Sequence, residues 1–347
     1  MEQFKLASKT KLIIKENVLA VICDNALMTV SSAFYNGGCK QVKAVLNVGV
    51  PEGYNDRSLH LDPLELITSS AAKLGFTTDY LAMVTAAKIK NFSLVTKKTE
   101  DFSVSVAATA GCSHGESSGE EMDVEEAPGT INIIVFIDGS PTHSCLVASL
   151  ITATEAKSAA LHDFDVRSLY TGDLATGSIT DSVTVASTNQ GKSIVYGGPA
   201  SKLGKIVGYC SRKAVTEALI KQEPIWACRT ALDRLKERHL PIDKLAAEIS
   251  KVDGLTIDEK SLAEILNHNT VATAYLLAAA KLDDDFKKNL SPTEFGNVNE
   301  LSRCFSNSVC LQERQDYSKI PGYDSVDLPP FIKHVLISLV KQAFSKN

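Results

Sequence analysis

Two apolar runs frame this chain: FSVSVAATAG at 102–111 and GTINIIVFID at 129–138. Val, Ile and Phe dominate them and small residues bound them, so both are predicted as buried strands. The segment between them, SHGESSGEEMDVEEAP, carries six carboxylates and no Lys or Arg. It has little to bury, and a polar, glycine-bearing loop between two core strands is a usual address for a binding site. Upstream, KLIIK and VLAVIC read as a hairpin joined at Glu16-Asn17, with Asn supplying the turn. A third strand-like run, Leu27–Phe34, ends in the Asn36-Gly37-Gly38 turn, and KAVLNVGV (43–50) is a strand stopped by Pro51. Asp62-Pro63 then predicts a helix over LELITSSAAKLG, with Asp62 as N-cap, Pro63 at the first helical position and Gly75 past the end. YLAMVTAAKI and NFSLVTKK are short and apolar, and read equally as helix or strand.

Downstream of the frame, Thr142 to Leu161 is alanine-rich with apolar residues at helical spacing. DSVTVAS (181–187) alternates cleanly as a strand, and GKIVGYCSRKAVTEALIKQ is a helix opening at Gly204. From about Glu223 the pattern changes. WACRTALDRLKERHL, PIDKLAAEISKV, IDEKSLAEILN and TVATAYLLAAAKL are successive amphipathic helices; a loop rich in Ser, Asn and Pro (289–330) and a last helix, FIKHVLISLVKQAF, follow. The expected fold class is therefore α+β: a mixed β-sheet core packed with helices over residues 1–222, and an all-helical C-terminal extension over 223–347.

Composition narrows the function classes. The 347 residues are 44% hydrophobic and 22% charged, which is globular and soluble in character. A net charge of −5 gives no long-range attraction for nucleic acid or anionic membrane, and no apolar run approaches the roughly 18–20 residues of a spanning helix. With no apolar h-region at the N-terminus, a cytoplasmic location is expected. Eight cysteines are scattered without a CxxC pair, which favours reduced, packed thiols; Cys304 and Cys310 form the one pair close enough in sequence to test for a bridge. No GxGxxG follows a strand, and GxxxxGK[ST] and HExxH are absent.

Candidate chemistry then rests on polar residues in apolar or small-residue settings. Thr130 and Asn132 share a strand face with Ile134 and Phe136, and a buried Asn must find partners, either a ligand or a neighbouring loop. Asp181, on the face of Val183 and Val185 and after Gly177, is a turn cap or a site carboxylate. Glu155 and Lys157 are two apart on a helix, so they point to nearly opposite sides. His114, beside Ser113 and two before Glu116, is the one histidine of the central loop; an exposed histidine in an acidic loop is its plain alternative.

In order along the chain, TAGCSHGES, PGTINIIVFID, TATEAKSAAL and TGSITD resemble the adenosylcobinamide amidohydrolase family, over roughly residues 10–220. Ile179 stands where that family has a second glycine, and His114-Gly115 where it has Asn-Ala, so His114 is set aside as a base. The resemblance implies hydrolysis of the amide joining aminopropanol to the corrin ring of adenosylcobinamide, giving adenosylcobyric acid. It implies a corrinoid as substrate and no separate cofactor. The alternatives are a non-catalytic corrinoid carrier or sensor, and a remodelling hydrolase acting on complete cobamides. Amide hydrolysis needs an activated nucleophile, an oxyanion donor and a proton for the amine. The expected catalytic residues are Glu155, Asp181 and Lys157, with Glu155 and Asp181 as the essential pair. Thr109, Gly111, Ser113, His114, Glu116, Thr130, Asn132, Thr154, Gly177 and Thr180 are the expected substrate-binding residues, and loop 113–128 the expected lid. A hydroxyl nucleophile (Thr109, Thr130 or Thr180) and direct attack by water stay open. No metal is expected, because the histidines show no ligand spacing. No nucleic-acid or membrane partner is expected; a homo-oligomer is allowed for.

Overall fold

A computed structural model of the chain describes residues 2–51, 63–113, 115–121, 129–267, 270–290 and 320–345. The chain divides into two compact units, Met1–Tyr170 with Leu174–Cys228, and Arg229–Asn347 with the short segment Thr171–Asp173.

The first unit opens with three antiparallel strands, β1 (Glu2–Ala7), β2 (Thr10–Lys15) and β3 (Val18–Ser31), followed by β4 (Gly38–Gly49). Helix α1 (Leu64–Lys73) leads to β5 (Tyr80–Thr85), β6 (Ser93–Lys98), β7 (Ser103–Gly111) and β8 (Thr130–Asp138). After the short β9 (Ser140–Pro141) come α2 (His143–Asp163), β10 (Ser182–Ser187), the short β11 (Ser193–Ile194) and α3 (Lys202–Gln222). Nine strands form one mixed sheet in the order β1-β2-β3-β10-β8-β7-β6, with β4 on the free side of β3 and β5 parallel to β4.

The α+β class with a mixed sheet and a helical C-terminal region is the architecture observed. Several local expectations need correction. VLAVIC and Leu27–Phe34 are one strand, β3, because a register shift between Ile22 and Leu27 absorbs the polar Asp24-Asn25 step without ending the strand. β1 falls in a stretch that carries no strong strand pattern. Both ambiguous runs are strands, since β4 and β7 each offer an edge to pair with. Pro63 is the N-cap of α1 and not its first helical residue; Asp62 lies outside the described residues. WACRTALDRLKERHL is broken into a 3-10 turn, Pro224–Ala227, and the short helix α4 (Ala231–Lys236). Cys304 and Cys310 also lie outside the described residues.

Alternation along the strands explains the layering. Odd-numbered Ile131, Ile133, Val135 and Ile137 of β8, with Val104, Val106, Ala108 and Ala110 of β7, meet Leu146, Ala153 and Ala160 of α2 and Val207, Ala214 and Ala218 of α3. Even-numbered Ile134 and Phe136 turn the other way, onto Leu19 and Val21 of β3, Val45 of β4, and Leu81 and Met83 of β5. Leu46 and Val48 of β4 then face Ile67 and Ala71 of α1. The sheet thus folds over on itself, giving helix, sheet, sheet and helix layers, and the small residues of α2 and α3 let those helices lie close to the strands.

The second unit is helical: α4, α5 (Ile242–Ile249), α6 (Glu259–Asn267), α7 (Thr270–Lys287) and α8 (Pro330–Ser345). Leu245, Ile249, Leu262, Leu266, Leu276, Phe331 and Leu336 share its core. Buried Asp283 of α7 caps α8 across the core: Oδ1 accepts from Phe331 N and Oδ2 from Ile332 N, both at 2.9 Å. No described helix is long and apolar enough to cross a membrane.

Candidate active site

The polar centre sits where β7 ends and β8 and β10 begin. β8 and β10 run parallel, with Asn132 opposite Ser182, and β7 pairs Thr109 with Asn132 and Gly111 with Thr130. The start of β10 therefore lies beside the start of β8, and α2, packed on this face, passes above both.

Helix periodicity decides which charged residue of α2 enters the centre. Its buried stripe runs Cys145, Ser149, Thr152, Ala153, Ala156, Lys157, Ala160, so Lys157 points inward. Glu155 falls on the outward stripe with exposed Val147 and Ile151, at i, i+4 and i+8. Lys157 Nζ makes an ion pair with Asp181 Oδ2, and both side chains are nearly buried, at 9% and 11% exposure. The structure thus brings Lys157, not Glu155, beside Asp181.

Asp181 is held by three more donors. Ile131 N donates to Oδ1 at 2.9 Å, Ser178 N to Oδ2 at 3.0 Å, and Ser178 Oγ to Oδ1 at 2.5 Å. The Gly177–Asp181 turn is wrapped around the carboxylate it carries. Its first residue has no room for a side chain: a Cβ on Gly177 would come within 2.5 Å of Asp181 Oδ2 and 2.7 Å of Lys157 Nζ. A carboxylate with all four lone-pair directions engaged is fixed in place, and it fixes the ammonium opposite.

The turn is tied down from both sides. Glu116 N donates to Gly177 O at 2.9 Å and Thr176 N to Glu116 O at 2.8 Å, so half-buried Glu116 joins the centre through its backbone. Ser158 Oγ of α2 donates to Thr176 O at 2.8 Å. Buried Thr130 and exposed Thr180 share a hydroxyl hydrogen bond of 2.8 Å, and Thr180 Oγ1 also donates to Gly129 O at 3.2 Å.

Beneath, on the inter-sheet face, lies a buried polar chain. Asn132 Nδ2 donates to Asn47 Oδ1 and Val84 O, both at 2.8 Å, and its Oδ1 accepts from Ser182 N at 3.1 Å. Asn47 Nδ2 donates to Thr109 Oγ1 at 2.8 Å, and Thr109 reaches Thr85 Oγ1 at 3.4 Å. Asn132 and Thr109 are each 1% exposed, and both amide hydrogens of Asn132 are taken. These two expected binding residues support the site from within the core instead of lining it. Thr154 spends its hydroxyl on Leu150 O in its own helix, and Ser113 is exposed. His114 and residues 122–128 of the expected lid lie outside the described residues.

Sequence reasoning missed Ser178, Asn47, Cys112 and Glu223. The Ser178-x-x-Asp181 spacing is a turn-cap pattern and offered a signal for the first; the others join only through the fold. Cys112 is buried at the end of β7, with Sγ 4.0 Å from Gly177 O. Burial, above all, holds its thiol well above the ordinary range; the carboxylates of Asp181 and Glu223 push the same way, and Lys157 opposes them. Glu223 lies beside Gly111, its Oε2 accepting from Trp226 Nε1 at 2.8 Å. Among the described residues, no group of three or more His, Cys, Asp or Glu side chains is placed to hold a metal ion.

Residues 3–226 match the model of a protein family described as adenosylcobinamide amidohydrolase. The chain belongs to the adenosylcobinamide amidohydrolase family. It is accordingly an amidohydrolase, acting on a carbon–nitrogen amide bond. The chain is 32% identical over 191 residues to the adenosylcobinamide amidohydrolase of Methanosarcina mazei, covering 54% of this chain and 83% of that one. It is 29% identical over 209 residues to an uncharacterized protein of Methanocaldococcus jannaschii, covering 54% and 81%. Two solved structures overlap much of the chain at low TM-scores. A Pyrococcus horikoshii protein has a TM-score of 0.36 at 11% identity, covering 61% of this chain and 83% of its own. The L-aminopeptidase D-Ala-esterase/amidase of Ochrobactrum anthropi has 0.31 at 9%, covering 62% and 84%.

Proposed function

We propose that this enzyme hydrolyses the amide joining aminopropanol to the corrin ring of adenosylcobinamide, releasing adenosylcobyric acid for corrinoid salvage. The observation that supports this reading above all is that the whole polar centre, Lys157, Gly177, Ser178 and Asp181 included, falls inside the span matched to the family. Amide hydrolysis asks for a positioned base, a cationic or N–H donor for the tetrahedral oxyanion, and a proton for the amine. Asp181, held by four donors, is the positioned carboxylate, and Lys157 is the nearby cation. Exposed Thr180, with Thr130 behind it, offers hydroxyl contacts at the rim, where a flat substrate with many amide arms needs them.

In this reading the corrinoid is the substrate and the reaction consumes no cofactor; turnover is expected to survive exhaustive chelation. Loss of activity to a chelator, restored by zinc, would overturn that part. The deciding experiment incubates purified protein with adenosylcobinamide and follows free aminopropanol. Stoichiometric release supports the reading. Tight corrinoid binding without release makes the protein a carrier or sensor, and release confined to complete cobamides makes it a remodelling hydrolase.

A further inference from the structure

We propose that Ser178 is the nucleophile of this site and that the reaction runs through an ester of its hydroxyl. The inference rests on the amide-hydrolysis reading above and goes beyond it by naming the attacking atom.

The hydroxyls singled out by pattern are otherwise engaged. Thr109 is buried in the inter-sheet chain, Thr130 and Thr180 share a hydrogen bond, and Thr180 also donates to Gly129 O. Ser182 Oγ donates to Ser32 O. Ser178 instead directs its proton at a carboxylate, Asp181 Oδ1, at 2.5 Å. The other oxygen of that carboxylate is held by Lys157. A hydroxyl hydrogen-bonded to a base, with the base oriented by a third group, is the arrangement that activates a serine. Ser178 is half-buried at the start of a turn, whereas Asp181 and Lys157 lie almost wholly beneath the surface, so the hydroxyl is the member of the three best placed to meet a substrate.

The steps balance without a further reactant. Ser178 Oγ bonds to the amide carbonyl carbon while its proton moves to Asp181 Oδ1. The tetrahedral intermediate collapses, the C–N bond breaks, and the amine leaves with that proton. Water then adds to the ester carbon, giving a proton to Asp181. The C–Oγ bond breaks and the proton returns to Ser178. The net change is amide plus water to acid plus amine. Lys157 orients the Asp181 carboxylate through the ion pair and stands ready as a charge partner for the oxyanion.

The test has two arms that fail separately. In the first, the full-length protein is treated with an alkyl phosphonofluoridate, which forms an Oγ–P bond with loss of fluoride, and the adduct is mapped by peptide mass. Label on Ser178 is expected, and its absence overturns the proposal whatever the turnover. In the second, aminopropanol release is compared for wild type, Ser178→Ala and Ser178→Thr, with Trp226 fluorescence and corrinoid binding as checks of fold. Ser178→Ala is expected to lose about a thousandfold or more while still binding corrinoid, and Ser178→Thr, which keeps a hydroxyl, to retain measurable turnover. A folded Ser178→Ala enzyme within about tenfold of wild type overturns the proposal. Labelling of Ser178 in a wild type that releases no aminopropanol keeps the nucleophile and sinks the substrate assignment instead.

Discussion

Neutralising the buried ion pair one side at a time, and then both together, probes the centre most sharply. Lys157→Met leaves the Asp181 carboxylate with Ile131 N, Ser178 N and Ser178 Oγ but no cation. Breaking a buried pair by removing one partner costs about 3–5 kcal/mol, and the three surviving donors put this variant near 3 kcal/mol. Asp181→Asn strands an ammonium that is only 9% exposed and turns an NH2 against donors that need an acceptor, so about 4–5 kcal/mol is expected. With both changes no charge is stranded, and what is lost is mainly the hydrogen bonds of the Gly177–Asp181 turn, about 2–3 kcal/mol. The double variant should therefore fall short of the sum of the singles by roughly 4–6 kcal/mol, above the usual range of measured couplings. Urea unfolding read by fluorescence is the assay. The chain has one tryptophan, and Trp226 packs against the helix-side core of this unit. Costs that add to within about 0.5 kcal/mol would refute the coupled, buried pair.

The remaining predictions concern neighbours of that pair and the helical unit. Gly177→Ala drives a methyl between Asp181 and Lys157, so turnover should collapse and stability fall by about 1–3 kcal/mol; a variant unchanged in both would show that the turn has room. In native protein at pH 8, iodoacetamide should modify exposed Cys39 and Cys228 and spare Cys112, whose buried thiol is held in its protonated form; alkylation of Cys112 as fast as Cys228, read by peptide mass, contradicts this. Burial pushes the Asp283 carboxyl up to about 7, against the pull of Phe331 N and Ile332 N. A folded pKa above the unfolded one means the folded unit binds this proton more tightly, so its stability falls as pH rises from about 4 to about 7, by at most roughly 4 kcal/mol. Helix unfolding followed by circular dichroism should show that slope, flattened in Asp283→Asn; an identical slope in the variant removes Asp283 as its source.

How far the sequence disclosed this arrangement depends on the length and regularity of each signal. β7, β8, α2 and α3 were readable because a long run of Val, Ile and small residues, or a long 3.6-residue pattern, leaves one solution. β5 and β6 were not, because a run of six residues fits either element until an edge to pair with is known. The continuous β3 was hidden by Asp24-Asn25, which reads as a turn but sits in a register shift. At the site, Gly177 and Asp181 were visible as a turn with a carboxylate. The opposed directions of Glu155 and Lys157 were equally plain. Which of the two faces inward follows from the small-residue stripe Ala153, Ala156 and Ala160, and that selects Lys157. Thr109 and Asn132 were chosen as polar residues in strands. A fold that doubles its sheet gave them Asn47, Val84 and Thr85 as partners, and no local pattern reports such a contact.

The claim on which the rest depends is that amide cleavage happens at the start of β10. A crystal structure of the protein with a cobinamide analogue whose scissile amide is replaced by a non-hydrolysable link tests it directly. The atom equivalent to the carbonyl carbon is expected about 3–3.5 Å from Ser178 Oγ, with Lys157 and Asp181 immediately behind. An analogue seated with that atom far from Ser178, Lys157 and Asp181 contradicts the account.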